Sequence, residues 1–501
     1  MPNAVSKHGE RWHVWLCTGF IALLSFFTYV YNFSTPQAFF WDENYHIASA
    51  QKYLSGVFFM EQHPPLGKLM VALGEKVLDL NERDDSFITT DYARNPPEGF
   101  SFTGYRLFPV LLAWLTAPLL FWCFFLLTRH LLSSTIFSFL YVFDNAFIVH
   151  MRGAMLESTL LFFMTATILA FLLLREWKDV PRKFPWASLL FGAAFGCVMT
   201  TKLVGLILIL LVPAIAWLLR RRWEQFAKFG LLALAGFLVT YVGVWHTHFA
   251  LGSRVIPQLP DDGYYQASPA YVNILESGRN ASPLAFPVML RDSLKFVSHY
   301  NAGVPVLDLC KEDENGSPFF FWPFGARAIN YRWETPNGQE YRYLYLQSNP
   351  VAWGLGLAGV LLAFTLLLSG LVSPPKQGLR NKAMLVTFFA LYVCYMLAMS
   401  QIDRVMYLYH YFPPLLFSFF LFALAFTEIR QFGGWALTEN RRNATLITLA
   451  VLVFAGFQFY RPLSYYEPLN DDQFRARAIF PLWDLQCVNC EENRYMLQRR
   501  R

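Results

Sequence analysis

The segment Trp41-Asp42-Glu43-Asn44-Tyr45-His46 sets two adjacent carboxylates beside an imidazole, directly after a long apolar run. A carboxylate at the mouth of a helix bundle can take the proton of an incoming hydroxyl as general base, the role this placement suggests for Asp42, while Glu43 could orient an acceptor or a metal. The structural alternative is a solvated acidic pair at a helix start, where negative charge suits the helix dipole. His63-Pro-Pro-Leu-Gly-Lys68 follows, with His63 and Lys68 separated by a turn that the two prolines force. His63 could bind a metal or a phosphate, or cap the next helix; a single histidine has too few partners to make a metal site.

Three further clusters sit at turns between apolar runs. In Phe143–Thr159 the charges Asp144, Arg152 and Glu157 crowd one turn, where Arg152 should pair with Glu157 or with a ligand. Lys202 interrupts the apolar stretch 187–219 within Thr-Thr-Lys-Leu-Val-Gly, and Asp403–Tyr411 carries Arg404, His410 and three tyrosines, among them Tyr411. Lys202 and Arg404 could hold phosphate oxygens; the tyrosines could equally be interface anchors. Gly354, Gly356 and Gly359 spell G-x-G-x-x-G, but with no preceding strand they fail the dinucleotide context and read as helix-packing positions. Cys487 and Cys490 form a lone C-x-x-C, read as a disulfide or free thiols, since zinc would want a second pair. No metal site is indicated, although a divalent metal stays open, and the sequons at Asn32, Asn280, Asn315 and Asn443 are uninformative without a known host.

What must position these residues is a membrane domain. Of 501 residues 55% are hydrophobic and 15% charged, against about 25% charged in soluble domains. Apolar runs of about 20 residues, the length that crosses a bilayer, lie near 12–33, 104–128, 132–150, 155–174, 229–249, 350–372, 383–400, 408–428 and 443–462, and 187–219 splits into two short helices at Lys202. The expectation is an all-α polytopic protein of about eleven spans. Its net charge of +6 does not point to nucleic acid, because the basic residues cluster in alternate connections, around Arg129, Arg175 to Lys183, Arg220 to Lys228, Lys376 to Lys382 and Arg430 to Arg442. By the positive-inside rule these face the cytoplasm with the N-terminus, residues 1–11. The opposite side then receives the segment 34–103, the loop 250–349 and the tail 463–501, which divide the membrane domain into parts at 12–249 and 350–462. Residues 34–103 should hold amphipathic helices from Glu43 to Ser55 and from Leu66 to Leu80, suited to a membrane surface. The 250–349 loop, rich in Pro, Gly, Asn and Tyr, reads as irregular with one short helix near Met289–Val297.

With these clusters in hand, the chain resembles the protein O-mannosyltransferase family, membrane glycosyltransferases of the C-type fold that use a polyprenyl- or dolichyl-phosphate sugar. The resemblance rests on the acidic pair Asp42-Glu43 and on a Y-x-x-G-x-F-F-x-x-x-H-P-P-x-x-K pattern from Tyr53 to Lys68. It continues through Tyr105-Arg106, the Arg152–Glu157 turn, Lys202, Trp245–Phe249, Ser317–Pro323, Ser348–Pro350, Tyr409–Pro413 and Phe480–Trp483. Two departures stand out: Glu157 is more often Asp in the family, and the 250–349 loop is too short for the MIR domain of eukaryotic members. This suggests a prokaryotic-type member and leaves the acceptor open.

The resemblance implies an inverting transfer of a sugar, mannose by expectation, from a polyprenyl-phosphate donor to Ser or Thr of translocated proteins. Asp42 would be the base with Glu43 beside it, Arg152, Lys202 and Arg404 the phosphate ligands, and His63, Lys68, Arg106, Glu157, His410 and Tyr411 positioning groups. The alternatives are transfer to a lipid or glycan, as in aminoarabinose transferases, and a lipid-linked sugar transporter, which would place charge mid-membrane and often an inverted repeat. The expected partners are the lipid-linked sugar, an acceptor polypeptide, membrane lipids and a second subunit in a homo- or heterodimer. The expected location is the bacterial inner membrane with the site facing outward, or the lumenal side of the endoplasmic reticulum in a eukaryote.

Overall fold

Long apolar runs with few charges become helices because a chain in hydrocarbon must satisfy its own backbone polar groups. The structure, a computed structural model, describes residues 4–256, 267–311, 314–372, 378–432 and 434–488. Helix α1 (Ala4–Ser25) runs into a wider π turn, Phe26–Val30. Helices α2 (Glu43–Leu54) and α3 (Leu66–Leu78) lie in the first polar segment, and α4 (Thr103–Thr128), α5 (Leu131–Val142), α6 (Asn145–Met151) and α7 (Leu156–Trp177) return to apolar sequence. Then come α8 (Phe184–Met199), a 3₁₀ segment Leu203–Leu210 leading into α9 (Leu211–Leu218), and α10 (Trp223–Leu251). The long loop holds α11 (Pro269–Glu276) and α12 (Phe286–Ala302), and the chain closes with α13 (Pro350–Val372), α14 (Lys382–Met399), α15 (Phe412–Glu428), α16 (Glu439–Tyr465) and the short α17 (Asp471–Arg475).

Among the described residues, eight helices are long and apolar enough to cross a membrane, and a ninth span results if α5 and α6, bent by 57°, are one broken span. The bend falls at Asp144, whose Oδ1 leaves the helix ladder to accept the Phe147 amide at 3.0 Å and so caps α6. The expected eleven is reached only by counting α8 and Leu203–Leu218, which are shorter than the spanning length. Burial sorts the spans into centre and periphery. The Leu408–Glu428 span is 94% buried and α7 72%, whereas α10 is 11% and α13 17% buried, their exposed Leu, Val and Phe side chains matching lipid. Gly356 and Gly359 do serve close packing of α13 on α15: a Cβ at Gly359 would lie 2.5 Å from the Phe422 nitrogen, while Gly354 faces open space.

Two expectations need correction. Helix α2 is covered by protein rather than left with a free polar face: ten of its twelve residues are buried, Glu43 and Gln51 completely, because α3, α4 and the 84–93 segment pack over it. Helix α3 keeps the amphipathic form, with Leu73, Val77 and Leu78 exposed. The 250–349 loop is more ordered than its composition suggests, holding α11, a 17-residue α12 and a hairpin of β1 (Ile329–Glu334) and β2 (Tyr341–Leu346). The fold is mostly helical, as expected, with this hairpin as a small addition. Besides a two-residue pair, β3 (Gln431–Phe432) with β4 (Trp435–Ala436), the tail adds β5 (Pro468–Leu469) antiparallel to β2, giving the order β1-β2-β5. Cys487, buried beneath this sheet, is disulfide-bonded; Cys490 lies outside the described residues, as do residues 373–377 with Lys376.

The polar segments gather at one end of the bundle. The Leu66 amide bonds the Thr200 carbonyl at 2.8 Å, the Ala154 amide bonds Glu43 at 2.9 Å, and Val306 bridges to Arg404. Thus the turns carrying Arg152, Lys202 and Arg404 share one end with α2, α3 and α12.

Candidate active site

That shared end encloses a cavity of about 820 Å³. Asp42, Tyr45, His46, His63, Glu157, Lys202, Tyr300, Asp403, Arg404, Tyr407, Tyr409 and His410 are in its polar part, Asp403 being exposed, and Leu160, Leu161, Leu203 and Val204 extend it as an apolar wall. Asp42 is the residue before the first turn of α2, so its side chain is directed by the helix start rather than by the helix face. The Tyr409 hydroxyl donates to Asp42 Oδ2 at 3.3 Å, and the ring of Tyr409 lies 5.6 Å from the Lys202 ammonium. One side chain therefore separates carboxylate and cation. Burial pushes the Asp42 carboxyl above its ordinary value; Lys202 opposes that shift and Glu157 adds to it. Histidines follow the same rule in reverse: burial pushes His46 down to about 3 and His63 well below its usual value. His46 Nδ1 lies 2.7 Å from the Ala154 carbonyl, an acceptor only, so Nδ1 carries the proton and Nε2 is left as an acceptor.

Lys202 follows the end of α8, where Thr200 and Thr201 turn their hydroxyls back onto the helix carbonyls and stop it. Its ammonium pairs with Glu157 Oε1, and Glu157 Oε2 takes His150 Nε2 at 2.7 Å. The sequence reading misses His150. Arg404 stands on the turn before the Leu408–Glu428 span, fixed by the Val405 amide on the Pro305 carbonyl at 2.7 Å; its side chain has no hydrogen-bond or ion-pair partner among the described residues. His410 lines the cavity with its ring stacked on Tyr409, centroids 4.7 Å apart.

Five expected site residues lie elsewhere, each for a visible reason. Glu43 is fully buried and bidentate to Arg106, Oε1 to Nε at 2.7 Å and Oε2 to Nη2 at 2.8 Å, and it also accepts the Ala154 and Phe40 amides. Adjacent helix residues do not share a face, so Asp42 meets the cavity and Glu43 the interior. Arg106 spends its remaining donors on the carbonyls of Ser34, Pro36 and Ala38 and lies between the rings of Phe40 and Phe102. Arg152 does not pair with Glu157; it donates to the Asn32 carbonyl at 2.6 Å and stacks on Tyr465. Lys68 pairs with Glu61 at 2.6 Å beneath the His63 turn, where Glu61 also accepts the His63 amide. Tyr411 is buried against Trp353, with its hydroxyl 3.1 Å from that of Tyr392.

Of the groups that reasoning from sequence leaves out, His46 carries a signal, standing four residues after Asp42 on the same helix edge. Tyr331 carries none of that kind, since it arrives from the hairpin. Among the described residues no three His, Cys, Asp or Glu side chains gather as a metal-holding group.

These features define an integral membrane protein of the C-type glycosyltransferase fold. The backbone superposes on Saccharomyces cerevisiae protein O-mannosyltransferase, solved as the Pmt1-Pmt2 complex bound to the sugar donor, with a TM-score of 0.78 at 15% identity, covering 95% of this chain and 93% of that one. An Archaeoglobus fulgidus oligosaccharyltransferase, solved with an inhibitory peptide and a dolichol-phosphate, gives a TM-score of 0.52 at 12% identity over 97% of this chain and 59% of that one. At such identities the likeness is one of fold. In sequence, residues 19–252 match the profile of dolichyl-phosphate-mannose-protein mannosyltransferase, and residues 294–483 match the C-terminal four-span region of protein O-mannosyltransferase. The chain belongs to the protein O-mannosyltransferase family. Among relatives, dolichyl-phosphate-mannose–protein mannosyltransferase 4 of Schizosaccharomyces pombe is 32% identical over 37% of this chain, and mannosyltransferase 1 of Candida albicans is 28% identical over 50%. The matched segments span only 24% and 30% of those two proteins.

Proposed function

We propose that the protein is an inverting glycosyltransferase that moves mannose from a polyprenyl-phosphate donor to a Ser or Thr hydroxyl of a polypeptide. The observation that carries this reading is that one half-buried carboxylate, Asp42, and two cations, Lys202 and Arg404, share a cavity whose wall runs on into apolar helices. The donor's phosphodiester bears one negative charge and the released polyprenyl monophosphate two, so the transition state gathers charge on the leaving oxygen. Lys202 and Arg404 stabilise that charge. Asp42 takes the proton of the acceptor hydroxyl as its oxygen attacks the anomeric carbon; the bond from that carbon to the phosphate oxygen breaks, and its electron pair stays with the phosphate. One displacement inverts the anomeric centre, with no second carboxylate acting as nucleophile.

The raised proton affinity of Asp42 makes it the stronger base. His63 and the accepting Nε2 of His46 offer hydrogen-bond positions for sugar hydroxyls. The apolar wall suits a polyprenyl chain, and the family resemblance supports a peptide acceptor. The reading places the cavity on the side of the membrane away from the cytoplasm, the periplasmic side in a bacterium or the lumenal side of the endoplasmic reticulum in a eukaryote.

The test is incubation of purified protein with labelled polyprenyl-phosphate mannose and Ser/Thr peptides, with lipid extract in parallel. Label on peptide, lost in Asp42→Asn while donor binding persists, is the expected result. Label on lipid alone would replace the acceptor assignment, and full activity of Asp42→Asn would remove the base.

A further inference from the structure

Glu157 uses both oxygens, Oε1 for the Lys202 ammonium and Oε2 for His150 Nε2 at 2.7 Å. His150 is fully buried on α6, and its other ring nitrogen, Nδ1, lies 2.6 Å from the hydroxyl of Tyr331 on β1. These contacts are all satisfied with Nε2–H donating to Glu157, Lys202 donating to Oε1, and Nδ1 paired with the Tyr331 hydroxyl. The Tyr331 ring stacks on Trp41, centroids 5.0 Å apart and planes 18° apart, and Trp41 immediately precedes Asp42. Three stretches distant in sequence, the β1–β2 hairpin, the α6–α7 turn and the end of α8, thus meet at one ammonium group.

A lysine ammonium is a point charge on a flexible stem and takes its position from what it pairs with. Glu157 held at one oxygen could pivot and carry Lys202 with it. Held at both, it cannot. We propose that Tyr331 and His150 are positioning residues which, acting through Glu157, hold the Lys202 ammonium at the donor phosphate in register with Asp42. This rests on the reading of Lys202 as a phosphate ligand and deepens it. Neither residue touches the reacting atoms. Tyr331 couples the base to the phosphate site by two routes, its ring toward Trp41 and its hydroxyl toward His150.

The test is equilibrium binding of a polyprenyl phosphate to the purified full chain, as wild type, Tyr331→Phe, Lys202→Met and the double variant, with His150→Gln and His150→Phe alongside. Tyr331→Phe keeps the stacking and removes one hydrogen bond, so it should weaken binding about fivefold. It should add nothing in the Lys202→Met background, because coupled residues are non-additive. His150→Gln, whose side-chain amide can still donate toward Glu157, should bind more tightly than His150→Phe. That conservative rescue also covers a Tyr331→Phe protein that folds poorly. Equal weakening by Tyr331→Phe in both backgrounds, or none in either, overturns the relay while leaving Lys202 a phosphate ligand. Unchanged binding by Lys202→Met alone overturns the phosphate reading itself.

Discussion

Two buried acid–base pairs lie within the same end of this bundle, and they differ in what their charges have left to do. In Glu43–Arg106 both side chains are fully buried, the pairing is bidentate, and the remaining donors and acceptors go to backbone groups of 34–40 and Ala154. In Glu157–Lys202 the lysine is 15% exposed and borders the cavity. The first pair ties the segment after α1 to α4 and so fixes where Asp42 points; the second presents a cation. A saturated buried pair builds a site, and a cavity-facing one operates it. The difference lies in the cation as well as its neighbours: the planar guanidinium of Arg106 is saturated by a bidentate partner and three carbonyls, whereas the Lys202 ammonium keeps a face toward the cavity.

Substitutions can break this comparison, in order of expected size. Asp42→Asn should lower the transfer rate by about 10²- to 10⁴-fold, the usual worth of a general base, with the melting temperature in detergent nearly unchanged. Glu43→Ala should act mainly on stability: leaving Arg106 buried and unpaired costs about 3–5 kcal/mol, read as a fall in melting temperature, while transfer per folded molecule falls far less than in Asp42→Asn, because Asp42 is less well aimed but still present. A catalytic collapse at full stability in Glu43→Ala would put that carboxylate back in the reaction. Arg404→Gln, removing a cavity cation that has no protein partner among the described residues, should raise the donor KM about tenfold, a charged hydrogen bond being worth roughly 1.5–3 kcal/mol.

The pH profile sharpens the same contrast. Burial raises the Asp42 carboxyl and Lys202 holds it down. As pH falls through that raised value Asp42 is protonated and the base is lost, so kcat/KM should drop on an acid limb lying above the ordinary carboxylate value of about 4. Lys202→Met should move that limb to still higher pH; an unmoved limb would mean that another group titrates. The smallest effect belongs to Tyr411→Phe, which loses a buried hydroxyl contact with Tyr392. It should cost about 1 kcal/mol of stability and leave the rate alone.

Much of this was legible in the residues themselves. Apolar runs of spanning length locate the membrane helices, and Lys202, which interrupts such a run, and Arg404, at the turn between two, both face the cavity, because a charge at a helix edge needs an aqueous or ionic partner. Adjacent Asp42 and Glu43 could not be told apart in a string of letters, since only the course of the chain into α2 decides which one turns inward. Arg152 and Glu157, five residues apart, looked like a pair, yet the turn at 151–155 sends the arginine to the Asn32 carbonyl and the glutamate to His150. Tyr331 lies in 250–349, a stretch without helical periodicity, so no helix-face spacing ties it to the site. Alternation in Ile329–Glu334 and Tyr341–Leu346 around Asn337-Gly338, with Gly338 at φ 72°, was the hairpin signal available there.

The central claim is a single displacement at the anomeric carbon with Asp42 as base. Its most direct measurement is the anomeric configuration of the new sugar–peptide bond, determined by NMR or linkage-specific glycosidases against that of the donor. A single displacement gives inversion; retention would require a covalent sugar–enzyme intermediate and would contradict it.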